Sequence, residues 1–172
     1  MPTFSYEVIH YVVTGCAPYI GFFERPKDVH YANADLSLKM LSIEHLRNKF
    51  ITKISGGERQ LVNISRALTQ HTKVMTMDEP TAYLDYGNQI QELKAIRDIA
   101  QQGTSIVLTT HNPDHALLLD GKVAVLNMQG KFSFGDCKEI LTESFLRLLY
   151  KVDLTLNRIQ EAERIACIPL HL

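Results

Sequence analysis

Val74-Met75-Thr76-Met77 is a short apolar run that ends abruptly in Asp78-Glu79-Pro80, and Ser105-Ile106-Val107-Leu108-Thr109-Thr110 is a second run that ends at His111. Between them, residues from about Asn88 to Gln102 keep apolar side chains at helical spacing and stop at Gly103, a residue suited to the left-handed position that closes a helix. Strand, helix, strand at this separation predicts a parallel crossover unit, so this part of the chain reads as α/β. Upstream, Leu61, Val62, Ile64, Ala67 and Leu68 repeat at helical spacing behind Ser55-Gly56-Gly57, with Ser55 placed as the N-cap. Downstream, Lys122 to Leu126 predicts a third strand, and the turn Gln129-Gly130-Lys131 predicts a hairpin closing by about Phe134, with helices over the rest. The front section predicts helices only: Ser5 to Val13, stopping at Gly15 and Pro18, then Lys27 to Leu41, then a shorter one over Ser42 to Asn48.

The 172 residues, 45% of them apolar, suffice for a real hydrophobic core. Eighteen basic and nineteen acidic side chains nearly cancel, so no strong field draws the chain to nucleic acid or an anionic membrane. The three cysteines, Cys16, Cys137 and Cys167, are widely spaced with no CxxC pair, which fits a reducing cytosol. No run approaches the roughly 18 apolar residues of a membrane span, and no basic-then-apolar leader opens the sequence.

Asp78 and Glu79 stand where parallel sheets gather ligands, at the carboxyl end of a strand. One acid there can hold Mg²⁺ while the next polarises an attacking water. The same residues, with Pro80 and Thr81, would also suit a simple helix cap. His111 ends the second strand and could meet the same ligand, although histidines in such places are commonly structural. His115 follows four residues on, but Asn112-Pro113 breaks the helix that would pair the two histidines as zinc ligands. Ser55-Gly56-Gly57 before a helix lets backbone N–H groups approach a phosphate, or makes an ordinary loop-to-helix junction.

Together these segments resemble the ATPase subunits of ABC transporters. Ile54-Ser55-Gly56-Gly57-Glu58-Arg59-Gln60 is similar to the signature motif and Val74 to Glu79 to the Walker B strand. Thr81-Ala82-Tyr83-Leu84-Asp85 is similar to the D-loop, and Thr109-Thr110-His111 to the switch strand with its H-loop histidine. The resemblance implies a partial P-loop NTPase-like fold: a helical subdomain over residues 1–54 that faces a permease, then parallel strands with helices and a C-terminal helical tail over 55–172. It further implies ATP and Mg as cofactors. Ser55, Gly56 and Gly57, with Glu58 beside them, would touch the terminal phosphate of ATP held by a second subunit. Asp78 would hold Mg through water, Glu79 would act as general base, His111 would contact the terminal phosphate, and Asp85 would line the dimer interface.

A P-loop requires Gly-x-x-x-x-Gly-Lys-Ser/Thr, and the sequence contains none. Its Gly-Lys pairs, Gly121-Lys122 and Gly130-Lys131, lack both the earlier glycine and the following hydroxyl. The resemblance therefore implies a chain truncated at its N-terminus. Pro2 to Ser5 would follow an upstream glutamine loop, Met1 would be an internal methionine, and the sheet would be left with unpaired edges. The pattern Gly15-Cys16-Ala17-Pro18-Tyr19 with Gly21, and Leu84-Asp85-Tyr86-Gly87-Asn88-Gln89, resembles importers of iron–siderophore, haem or cobalamin. Cys16 stands where those commonly carry arginine, and Thr76 places a hydroxyl in a strand that is otherwise aliphatic, at a modest burial cost. The loop Gly15 to Arg25, with Tyr19, Phe22 and Phe23, is the candidate contact with a membrane permease, unless those rings pack the core. A peripheral place on the inner face of the cell membrane follows, without nucleic acid. Two other readings stand beside this one: a non-catalytic subunit lending its signature to a complete partner, and a soluble ABC protein uncoupled from transport.

Overall fold

The computed structural model describes residues 5–127 and 129–170, so the expectation for Pro2, Thr3 and Phe4 lies outside the described residues. The chain divides into two compact units between Thr109 and Thr110. Residues on both sides of position 54 share one core in the first unit.

The first unit opens with α1 (Val8–Val13), whose Val8, Ile9, Val12 and Val13 are all buried, as the helical spacing predicts. The chain does not stop at Gly15. It tightens into a 3-10 helix, Thr14–Tyr19, with Pro18 inside it. In so short a helix Pro18 forgoes a single backbone hydrogen bond. Helix α2 (Asp28–Met40) follows, and the expected helix over Ser42 to Asn48 is only one 3-10 turn, Glu44–Leu46. A single antiparallel bridge, Glu7 to Phe50, joins the ends of this section.

Helix α3 (Gly56–Leu68) carries Leu61, Val62, Ile64 and Ser65 into the core, where Ser65 Oγ lies 2.7 Å from Ser37 Oγ of α2. Strands β1 (Val74–Met77) and β2 (Ser105–Leu108) pair in parallel, Val74 opposite Ser105 and Met77 opposite Leu108. Helix α4 (Tyr86–Gln101) connects them and is followed by Gly103 at φ 100°, the left-handed turn that a side chain would oppose. The crossover unit is therefore present as predicted.

One face of the β1–β2 pair is open: Val74 is 54% and Val107 60% exposed, with Thr76 and Ser105 beside them. Parallel strands ordinarily have both faces covered. Thr76 accordingly bears no burial cost, contrary to the expectation from sequence.

In the second unit, α5 (Pro113–Leu119) precedes the antiparallel hairpin of β3 (Lys122–Leu126) and β4 (Phe132–Asp136). Short α6 (Cys137–Ile140) and α7 (Glu143–Tyr150) follow. The last segment is not helical. Leu154–Ile159 (β5) and Arg164–Pro169 (β6) form an antiparallel hairpin. Glu143 of α7 ties it down, accepting from Thr155 Oγ1 at 2.8 Å and Leu156 N at 3.1 Å, while Arg147 Nε donates to Leu154 O at 2.7 Å. Cys137, Leu141, Leu146 and Leu154 are the core of this unit. No helix among the described residues is long and apolar enough to cross a membrane.

Leu38 is completely buried in the first unit. Leu38→Ala is expected to lower unfolding stability by about 2–5 kcal/mol in urea titrations followed by circular dichroism. Val107→Thr, on the open face, is expected to shift it by less than about 0.5 kcal/mol.

Candidate functional site

Ser55 begins α3 with extended backbone angles, φ −65° and ψ 166°, and closes a reciprocal capping box. Its hydroxyl accepts from Glu58 N at 3.2 Å, and Glu58 Oε2 accepts from Ser55 N at 2.7 Å. Glu58 thus folds back onto the turn. The two bonds to Ser55 hold its carboxyl below the usual glutamate range, with lesser help from Lys49 and His45, each 3.9 Å away. Gly56 and Gly57 occupy the first two helical positions, where amides have no intrahelical acceptor. The two glycines differ in their surroundings. A Cβ at Gly56 would meet nothing within 4 Å, whereas at Gly57 it would collide with the amide of Asn88. Gly56 is open to an approaching group, and Gly57 is a packing glycine.

Asn88 connects this turn to the D-loop. Asp85 caps α4, its Oδ1 accepting from Asn88 N at 2.9 Å and its Oδ2 from Asn88 Nδ2 at 2.6 Å. Gln89 Nε2 donates to Leu84 O at 3.0 Å and steadies the preceding turn. Ser55, Gly57 and Asp85 are therefore brought into one cluster through Asn88, a link that motif reading passes over because its signal is only a polar side chain three residues after a cap. One turn along α4, Glu92 is 1% exposed, and neither carboxylate oxygen has a hydrogen-bond partner. Gln60 of α3 is the polar side chain that faces it. Burial raises the Glu92 carboxyl to about 7, with the Gln60 amide opposing weakly.

At the end of β1 the hydroxyl of Thr109 organises the two acids. It donates to Asp78 Oδ1 at 2.6 Å and accepts from Glu79 N at 2.9 Å. Asp78 is exposed, and Glu79 is half-buried with φ 44°, an uncommon conformation for a side chain of this size. The alternative reading of this stretch as a helix cap is not what forms: residues 79–84 make successive turns, and α4 is capped by Asp85. Among the described residues no group of three or more His, Cys, Asp or Glu side chains converges. A lone oriented carboxylate suits a cation that keeps most of its own waters, as Mg²⁺ does.

His111 lies in the second unit, at the start of the turn before α5, where its carbonyl accepts from Tyr150 Oη at 3.0 Å. His115 is buried and its ring nitrogens are taken up locally: Nε2 lies 3.1 Å from Asn112 Nδ2 and Nδ1 3.3 Å from Thr110 Oγ1. Burial keeps the ring neutral by lowering its pKa, with Asp114 opposing. His115 thereby braces the turn that carries His111.

In the front loop of the first unit, Phe22 and Phe23 do not pack the core. They are 94% and 95% exposed and stack edge to face at 5.0 Å. Tyr19 lies flatter and donates to Gln70 O. Cys16, by contrast, is fully buried beneath the loop, with the His30 and Thr69 carbonyls 3.9 Å from its sulfur.

Residues 14–82 match the ABC transporter family. The solved structure of a metal-chelate type ABC transporter in an inward-facing conformation superposes with a TM-score of 0.91 at 34% identity, covering 99% of this chain and 69% of that one. The molybdate import ATP-binding protein MolC of Haemophilus influenzae is 36% identical over 161 residues, 93% of this chain and 63% of MolC. The hemin import ATP-binding protein HmuV of Pseudoalteromonas translucida is 31% identical over 134 residues, 73% of this chain and 51% of HmuV. The chain spans between half and two thirds of the length of these curated relatives. With 36% identity to MolC over 93% of its length and a P-loop NTPase-type fold, the chain belongs to the ATP-binding proteins of ABC transporters.

Proposed function

We propose that this chain serves an ABC importer as an ATP-hydrolysing subunit that works as a dimer, cytoplasmic and peripheral on the inner face of the membrane beside a permease. The observation that carries the reading is the Ser55-Gly56-Gly57 turn, capped from within and open at Gly56. A helix N-terminus of this kind favours a phosphate. By the resemblance to ABC ATPase subunits, the turn acts on a nucleotide bound by the facing subunit, with Ser55 and the Gly56 and Gly57 amides toward the terminal phosphate and Glu58 keeping the turn in shape. Asp85 lines the interface between subunits.

Within its own subunit, Asp78 would hold Mg through water. When bound, Mg supplies neutralisation of the phosphate charge. Thr109 orients Asp78 by its 2.6 Å hydrogen bond and fixes the backbone of Glu79. Glu79 takes the proton of the attacking water, and His111 contacts the terminal phosphate.

The cargo reading, an iron–siderophore, haem or cobalamin, rests on the residue pattern around Gly15 and Asp85. The hemin and metal-chelate functions in the names of similar proteins agree with it, and MolC adds molybdate to the range.

Calorimetric titration of Mg–ATP into the purified 172-residue chain is expected to show no submillimolar binding; a saturable submillimolar isotherm would refute the expectation that these residues alone hold no nucleotide. For the permease contact, the exposed pair Phe22 and Phe23 is the surface to test. Phe22→Ser with Phe23→Ser is expected to abolish co-purification with its permease, and undiminished recovery would remove this loop from the interface.

A further inference from the structure

The function proposed above leaves Glu92 unused, and its surroundings are unusual for an acid. It lies in the seam between α3 and α4, 1% exposed, with both oxygens unpartnered. An ionised carboxylate rests there only at a cost, because the Gln60 amide is the one polar group that faces it and neither oxygen is within hydrogen-bond geometry of it.

The charged groups on the neighbouring elements reach other partners. On α3, Glu58 serves the Ser55 cap, Arg59 reaches the Ile54 carbonyl at 3.5 Å, and Arg66 reaches the Tyr11 hydroxyl at 3.3 Å, the Nε of each arginine remaining buried without a partner. Strand β2, which also packs on α4, has no titratable side chain. On α4 itself Asp85 is engaged with Asn88, and Lys94 and Arg97 are exposed. Only Gln60 faces the carboxyl, and desolvation outweighs it.

The position matters because the seam runs on to the signature turn. Asn88 precedes Glu92 by four residues on α4, and Gly57 precedes Gln60 by three on α3, so the Asn88–Gly57 and Glu92–Gln60 contacts are successive rungs along one helix pair. We propose that Glu92 is a proton-controlled latch: its neutral carboxyl lets α3 close on α4, and its ionised form opens the seam at Gln60 and loosens the Ser55-Gly56-Gly57 turn from Asp85.

The direction follows from linkage. Closed, the carboxyl titrates at about 7; hydrated in an open seam it returns to its ordinary value of 4.5. Opening therefore becomes easier as pH rises from about 4.5 and levels off above about 7. The effect on stability has the same sign: the closed seam is favoured fully below the lower value and progressively lost on approach to the upper one.

Amide hydrogen exchange of the full 172-residue chain, corrected for intrinsic rates, tests this without nucleotide. Its outcome is thus separate from that of the ATPase reading, on which only the functional meaning of the latch rests. Between pH 5 and pH 7 the opening of α3 over Gly57 to Ile64 is expected to increase by up to roughly fortyfold. Exchange over β5 and β6 in the other unit should stay flat. Glu92→Gln and Glu92→Leu should each abolish the pH response, the leucine variant with α3 protected throughout. A wild-type α3 indifferent to pH over this range, or a response that persists in either variant, would overturn the latch.

Discussion

Helix α3 must be buried along most of its length and yet leave its first turn in water. It packs against α1, α2 and α4, and Val62 and Ser65 have essentially no exposed surface, while Ser55 and Gly56 are exposed. Buried helix ends are costly because four amides lack partners. The chain meets that cost locally: Ser55 and Glu58 satisfy each other's amides, and Asn88 closes over Gly57. What remains open is Gly56, at the place where a helix dipole favours an anion. The rest of the first unit can be understood as the walls that hold this helix at one height.

Those features were unequally legible in the sequence. The strand–helix–strand unit, α2 and α3 could be read because apolar spacing and the residues Ser55 and Gly103 act within a few positions of each other, whereas the capping role of Asp85, which starts α4 at Tyr86 rather than near Asn88, was not read. The two carboxylates at the end of β1 were legible for the same reason. The C-terminal hairpin was not: Leu154-Thr155-Leu156-Asn157 alternates only briefly, and its pairing depends on Glu143 and Arg147 reaching back from α7. Nor could sequence decide between buried and exposed positions for Phe22 and Phe23, since a phenylalanine is ordinarily found inside.

The open sheet faces have a related origin. In the first unit Val74 and Val107 share one uncovered face of a parallel pair, and in the second unit Leu126, Phe132 and Phe134 are 70%, 63% and 59% exposed on one face of the β3–β4 hairpin. Alternation along each strand sends one set of residues inward in both cases, so each sheet is correctly patterned for its own core. The outward sets are apolar as well, which is the composition of strands covered on both sides. Exposed apolar faces beside unpaired edges favour association, and they bound how long the isolated chain stays dispersed.

The acids of this protein separate into two kinds, and the separation explains what motif reading can reach. Asp78, Glu79 and Asp85 stand at the ends of elements, each with its carboxylate or backbone held by a neighbour's hydroxyl or amide, and the two aspartates are exposed. Such groups stand where they can meet a ligand. Glu92 sits mid-helix, 1% exposed, where burial raises its carboxyl to about 7. Nothing in a linear pattern marks it, because its isolation is made by Gln60 and the apolar residues of another helix. A group of the first kind performs chemistry where it stands, whereas a group of the second kind acts only by shifting the elements around it, and the element beside Glu92 is the one whose first turn the whole unit is built to present.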